Sequence, residues 1–281
     1  MTEATPLSHA LDLAMQVDPV AENVNCFVGG GRDYGPLKIY GGHLLGQGLA
    51  AAFATVDQNR LAHSLHAYFL KVGEANAPIT YEVERLREGR NYVVRGVRAL
   101  QDDALLLVMM ASFKQTEFGD EHQPVAPEMA DPETLRSARK ARGDEAIALP
   151  FAAPFGIELE ADGWHPRAPA GGEPAISMWM RAPMSVAADA RARQCALAYL
   201  SDGSMMFNAV RPYGNAFASH RAASLDHSVW FHRDADPENW LLFDQRSTAA
   251  TDARGLNNGH IYNAAGLLCA SVAQESMLRR I

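Results

Sequence analysis

Cysteine is scarce in this chain. Its three thiols, Cys26, Cys195 and Cys269, are far apart, odd in number and outside any C-x-x-C pattern. That argues against a disulfide framework, gives no zinc site and fits a reducing compartment. Positive charge is also short: the 281 residues carry a formal net charge of −8. Non-specific nucleic-acid binding is disfavoured on that ground, and a polyanionic ligand would need a local basic patch. No stretch approaches about 18 consecutive apolar residues, so a membrane-spanning helix is not expected. The start, MTEATPLSHALDLAMQVDP, lacks the basic beginning and apolar run of a signal peptide. A cytoplasmic location is the expectation. Familiar catalytic signatures are missing too: there is no G-x-S-x-G elbow and no H-E-x-x-H pair, and GGGRDYG fits neither phosphate-loop pattern.

What is present is a globular composition, 48% hydrophobic and 21% charged, long enough for one large domain or two ordinary ones. Residues 118–150, rich in Pro, Asp, Glu, Arg and Ala, read as a linker with some helix. Before it, residues 41–56 predict a buried helix, with Leu45, Leu49, Ala52 and Val56 in one stripe. Strands are predicted at 64–71, 79–87, 92–101 and 105–115, with REGRN and QDDA as turns. After the linker come a strand at 176–183, following a loop over 163–174, and a helix over 194–210. Strands follow at 222–233, 240–249, 254–263 and 267–278. The halves echo each other: a shift of 159 residues carries Arg95-Gly96 onto Arg254-Gly255, Ala111-Ser112 onto Ala270-Ser271 and Gln115 onto Gln274. A helix followed by an antiparallel meander, used twice, implies a sheet that wraps its own helix.

Within this pattern Asp202 is out of place. Ala198, Tyr199, Met205 and Met206 surround it at helical spacing. An unpaired buried carboxylate is costly. It either caps a break near Gly203 or pairs with an arginine, or it acts as a general base with a raised pKa. The first-half helix contains no acid, so one site per chain follows. Gln274 shares a strand face with Leu268, Ala270 and Val272, where its amide faces either a buried partner or solvent at the strand end. Alternation places Leu225, Val229 and Phe231 on one face, and Ser224 with Asp226, Ser228 and Trp230 on the other. His227 and His232 point to opposite faces, which does not suit one metal, and both read as structural. The glycines opening YGGHLLGQG leave free N–H groups for an acyl carbonyl or anion, or allow tight helix packing. Arg85, Arg87, Arg90, Arg95 and Arg98 line either a solvated strand face or the phosphates of a nucleotide-bearing substrate.

Taken in order, YGGHLLGQGL, HSLHAYFLKVG, VERLREGRNYVVRGVRALQ, LSDGSMMF, LDHSVWFHR, WLLFDQRSTAATDARG and ASVAQESMLR resemble the acyl-CoA thioesterase II (TesB-like) family, from about Val28 to Met277. The resemblance implies an α+β double hotdog: two tandem antiparallel sheets, each wrapped around a central helix. It divides the chain into an N-terminal hotdog (1–117), a linker (118–160) and a C-terminal hotdog carrying the acid (161–281). It implies hydrolysis of fatty acyl-CoA to free acid and CoA by a water held between Asp202, Ser224 and Gln274. Ser224 stands where the family has threonine. No metal or cofactor is implied, CoA being part of the substrate, and a homo-oligomer is expected. Two rivals share the scaffold. An enoyl-CoA hydratase would carry Asp-x-x-x-x-His, but Phe207 follows Asp202 at that spacing. A non-catalytic acyl-CoA binding protein would have no reason to keep both Asp202 and Gln274.

Overall fold

Alternating apolar residues build the first half of the sheet. Its strands are β1 (Asp18–Val20), β2 (Asn23–Gly29), β3 (Leu61–Phe69), β4 (Ile79–Glu88), β5 (Tyr92–Gln101) and β6 (Ala104–Lys114). Val93, Val97 and Ala99 of β5, and Met109, Ala111 and Phe113 of β6, turn inward and are buried. They cover α2 (Gly41–Phe53), whose Leu44, Leu45, Leu49, Ala51, Ala52 and Phe53 are all buried. A short α1 (Leu11–Ala14) precedes this half. The computed structural model describes residues 10–162, 173–185, 188–214 and 218–281. The loop expected over 163–174 therefore lies almost wholly outside the described residues, as does the chain before residue 10. Helix α2 stops three residues short of the predicted end. The Arg191 guanidinium takes up the freed carbonyls there, at 3.1 Å from Phe53 O and 3.2 Å from Val56 O.

The second half repeats the plan with β7 (Glu158–Ala161), β8 (Ala175–Arg181), β9 (His220–Ser224), β10 (Asp226–Phe231), β11 (Leu241–Thr251), β12 (Arg254–Asn263) and β13 (Leu268–Arg280). All the ladders are antiparallel. Counted outward from the middle, the order β3-β6-β5-β4-β2-β1 is matched by β10-β13-β12-β11-β8-β7. The two expected sheets are fused into one: β3 pairs with β10, with Ala67 directly opposite His227 and Leu65 opposite Val229. No helix among the described residues is long and apolar enough to cross a membrane.

Two predicted elements are each split in two. The helix expected over 194–210 is α4 (Ala190–Ser201) followed by α5 (Met205–Val210). Asp189 starts α4 by accepting the Ala192 N–H at 2.9 Å. The break falls at Asp202-Gly203-Ser204, and Gly203 packs so tightly on the Phe151 ring that a Cβ there would lie 2.3 Å from Cζ. The strand expected over 222–233 is β9 and β10, separated by Leu225. Its N–H donates to Glu275 O and its carbonyl accepts from the Phe69 N–H, both at 2.9 Å. The β13 partner shifts by one residue across this point, from Ser224–Ser276 to Ser228–Ala273.

Between the halves lies α3 (Pro132–Arg142), capped by Asp131 and ended by Gly143 at φ 75°. Arg136 and Arg139 tie it to Glu160 at 2.9 and 3.2 Å. Burial alone would raise the Glu160 pKa, but the hydrogen bonds from Arg139 and Arg136 outweigh it and hold the carboxyl below its ordinary range.

Candidate active site

Helices α2 and α4 pack side by side, which brings the start of the first against the end of the second. Asp202 is the residue immediately after α4. Its Oδ2 accepts the Gly42 N–H at 2.8 Å and its Oδ1 lies 3.3 Å from Ser224 Oγ. The acid thus stands at a helix break, where its side chain reaches the neighbouring helix and a serine in a buried polar cluster. Burial raises its pKa from 3.8 to about 6, against the lowering effects of the Gly42 and Ser224 hydrogen bonds. The positive end of α2 favours the ionised form, and the negative end of its own helix opposes it. Contact this close requires glycine. A Cβ on Gly41 would lie 2.7 Å from Asp202 Oδ2, and one on Gly42 would lie 2.3 Å from Tyr199 O. The anion facing the α2 amides is, at Gly42, the protein's own carboxylate.

Ser224 and Gln274 join Asp202 here. Gln274 is fully buried, on the predicted face of β13. Its Nε2 donates to Ser224 Oγ at 2.9 Å and to Ser276 Oγ at 3.3 Å. Unbroken alternation grouped Ser224 with Asp226, Ser228 and Trp230. The one-residue shift at Leu225 corrects that phase and turns Ser224 inward, while Asp226 accepts the Glu275 N–H at 2.8 Å. His227, read from the sequence as structural, also joins the cluster. Fully buried, it places Nδ1 2.7 Å from Gln274 Oε1 and Nε2 2.8 Å from Ser201 Oγ. Burial lowers its pKa to about 4, so it is neutral at pH 7 and its 4.0 Å approach to Asp202 is not an ion pair. A signal was available: His227 is in phase with Val229 and Phe231, and an interior polar group on that face must find partners.

Other candidates lie elsewhere. Gln115, the counterpart of Gln274, is exposed beyond β6. His232 is exposed and contacts Ser271 Oγ at 2.9 Å. The arginines do not act as one patch: Arg95 is buried against Thr55 and Glu88, and Arg98 pairs with Glu82 at 3.0 Å. A groove of about 930 Å³ runs over the outer sheet face beside Tyr68, Leu86 and Met110. None of the cluster residues borders it.

Comparison with other proteins identifies the family. Residues 160–277 match a family model described as acyl-CoA thioesterase, and residues 32–114 match one described as acyl-CoA thioesterase N-terminal domain. Acyl-CoA thioesterase 2 of Haemophilus influenzae is 34% identical over 264 residues, covering 90% of this chain and 92% of that protein. Human acyl-coenzyme A thioesterase 8 is 32% identical, covering 86% and 81%. The crystal structure of acyl-CoA thioesterase II TesB2 from Mycobacterium marinum superimposes with a TM-score of 0.78 at 31% identity, covering 97% and 99%. With matches spanning both halves and a hotdog neighbour superimposing over nearly its whole length, the chain belongs to the acyl-CoA thioesterase II family and is a thioester hydrolase of the double hotdog fold.

Proposed function

We propose that this enzyme hydrolyses fatty acyl-CoA to free fatty acid and CoA, using a water activated by Asp202 and oriented by Ser224 and Gln274. The observation that carries the reading is the convergence of these three polar groups in a buried cluster, with Asp202 held at a pKa of about 6. At pH 7 such an acid is largely ionised yet basic enough to take a proton, the condition for effective general-base catalysis. A thioester is already an activated acyl group and needs no strong nucleophile. Asp202 accepts a proton from the water as its oxygen attacks the carbonyl carbon. The C–S bond then breaks, and the departing CoA thiolate takes that proton back. The general-base step is worth about 10²–10⁴-fold. Fixing the water's direction adds a proximity gain. The chemistry asks only for water, and CoA arrives as part of the substrate.

The division into hotdog units at 1–117 and 161–281, with 118–160 between them, belongs to the same reading; the matching strand orders support two units, with β7 starting the second at Glu158, three residues before that boundary. So do a cytoplasmic location and a homo-oligomer. The exposed apolar side chains Tyr68, Leu86 and Met110 on the outer face support the homo-oligomer.

The test is thiol release across a series of acyl-CoA chain lengths, with crotonyl-CoA hydration run beside it. Wild type is expected to release CoA, and Asp202→Asn to lose at least about 10²-fold in kcat while keeping its fold. Near-native turnover by that variant, or hydration without thiol release, would overturn the assignment.

A further inference from the structure

We propose that His227 is a positioning residue for this reaction: it holds the Gln274 carboxamide with its NH₂ end toward Ser224, so that the Ser224 hydroxyl is free to donate to Asp202. The inference rests on the reading of Asp202, Ser224 and Gln274 as the water-holding set.

The direction of every bond in the cluster follows from one end. An ionised carboxylate only accepts, so Ser224 Oγ, 3.3 Å from Asp202 Oδ1, donates its single hydrogen there. Toward Gln274, at 2.9 Å, the same oxygen can then only accept, which places Nε2 at that contact. Oε1 is left facing His227 Nδ1 at 2.7 Å, so Nδ1 carries the hydrogen. In a neutral imidazole Nε2 is then a bare acceptor, and Ser201 Oγ, 2.8 Å away, donates to it. Each contact along this chain has one hydrogen and one lone pair, and Ser201, whose hydroxyl also lies 2.9 Å from Ala198 O, gives its hydrogen to His227 instead.

The same atoms admit a reversed chain. If the Gln274 carboxamide makes a half-turn, Ser224 donates to Gln274, His227 carries its hydrogen on Nε2, and Ser201 donates to Ala198 O, which lies 2.9 Å from its hydroxyl. That arrangement sets the Ser224 lone pairs against the Asp202 carboxylate and disarms the site. A carboxamide is nearly symmetric in shape, and the hydroxyls of Ser224 and Ser276 accept either end of it. The Asp202 anion supplies the asymmetry, and His227 in its Nδ1–H form is the partner that pairs only with the carbonyl end and so locks it in. The counterpart of His227 in the other half is Ala67, directly opposite, which offers no hydrogen bond.

The remaining titratable groups around Asp202 are Tyr40, just before α2, and Tyr199 on α4. Burial holds both phenols well above their ordinary range, so neither titrates with the acid. The acidic limb of the rate profile therefore reports Asp202 and its Ser224 donor.

Three measurements on the full chain test the proposal. First, ¹⁵N NMR of wild type at pH 8 should show His227 neutral with its hydrogen on Nδ1; finding it on Nε2 overturns the proposal even if every variant fails to fold. Second, His227→Leu should lower kcat at least tenfold with KM within about twofold, and should move the acidic limb to higher pH as Asp202 loses its donor. Third, His227→Asn, whose side-chain NH₂ stands where Nδ1 was, should recover kcat to within about threefold of wild type. An unchanged pH profile in the leucine variant, or equal loss in both variants, assigns His227 a merely structural role and overturns the inference. Asp202→Asn in the same assay separates the two levels: if it remains active, the reading of the site fails, whereas if it is dead and His227→Leu is not, only the present inference fails.

Discussion

Asp202 is an expensive residue for the folded protein, and the cost has a sign that can be checked. Its pKa rises from 3.8 to about 6 on burial. The folded state thus holds the proton more tightly than the unfolded state, and stability falls as pH climbs from 3.8 to about 6. Below that window the penalty is absent, and above it the penalty is complete. A shift of roughly two units corresponds to about 3 kcal/mol. Asp202→Asn is therefore expected to be more stable than wild type at pH 8 by up to about 3 kcal/mol, with the difference vanishing below pH 4. Denaturant unfolding at the two pH values measures it. A variant no more stable at pH 8 would mean that the carboxylate is not penalised by burial. At this scale the sequence was partly readable. An acid among Ala198, Tyr199 and Met205, and an amide in phase with Ala270 and Val272, stand out against their surroundings. Ser224 was placed on the wrong face because its phase depends on a backbone shift at Leu225 that alternation cannot register. His227 was set aside because one polar residue on an apolar face looks the same whether it only fills space or orients a neighbour.

Among the secondary-structure elements, the decisive contact is the start of α2 against the end of α4. Gly42→Ala would put a Cβ 2.3 Å from the Tyr199 carbonyl and 2.4 Å from the Tyr40 ring. A backbone carbonyl cannot swing aside, so the helices must separate. Overpacking of this kind costs about 1–3 kcal/mol. It also draws the 2.8 Å N–H away from Asp202. Thermal unfolding should show the destabilisation, and kcat should fall at least tenfold. Gly30→Ala, where a Cβ meets open space, is the control and should change neither. Most elements could be foreseen from period: the strands at 92–101 and 254–263 match their expected bounds to the residue. The breaks in the second-half helix and in the strand after it could not, because both are made by tertiary contacts. Phe151 presses on Gly203 in the first, and Glu275 and Phe69 take the backbone of Leu225 in the second.

In the whole molecule, neither half holds all the residues of the proposed site. Residues 161–281 contain Asp202, Ser224, His227 and Gln274 but lack Gly42 and leave β10 without β3. An unpaired strand edge of that kind invites association with another chain. A fragment of residues 161–281 is therefore expected to show no thioesterase activity and to aggregate or self-associate; turnover near the rate of the whole chain would show the first half to be dispensable. The fused sheet was only half legible in the sequence, because the repeat revealed two units without saying which edges they share. The register at that seam has a further consequence. Ala67 and His227 occupy matching places in the two halves and face each other. In a pair of identical single units, any side chain at that spot would confront its own duplicate, so an imidazole could appear there only twice or not at all. Joining the units in one polypeptide lets the two places be spelled differently, and a lopsided reaction centre becomes possible where symmetry would have forbidden one.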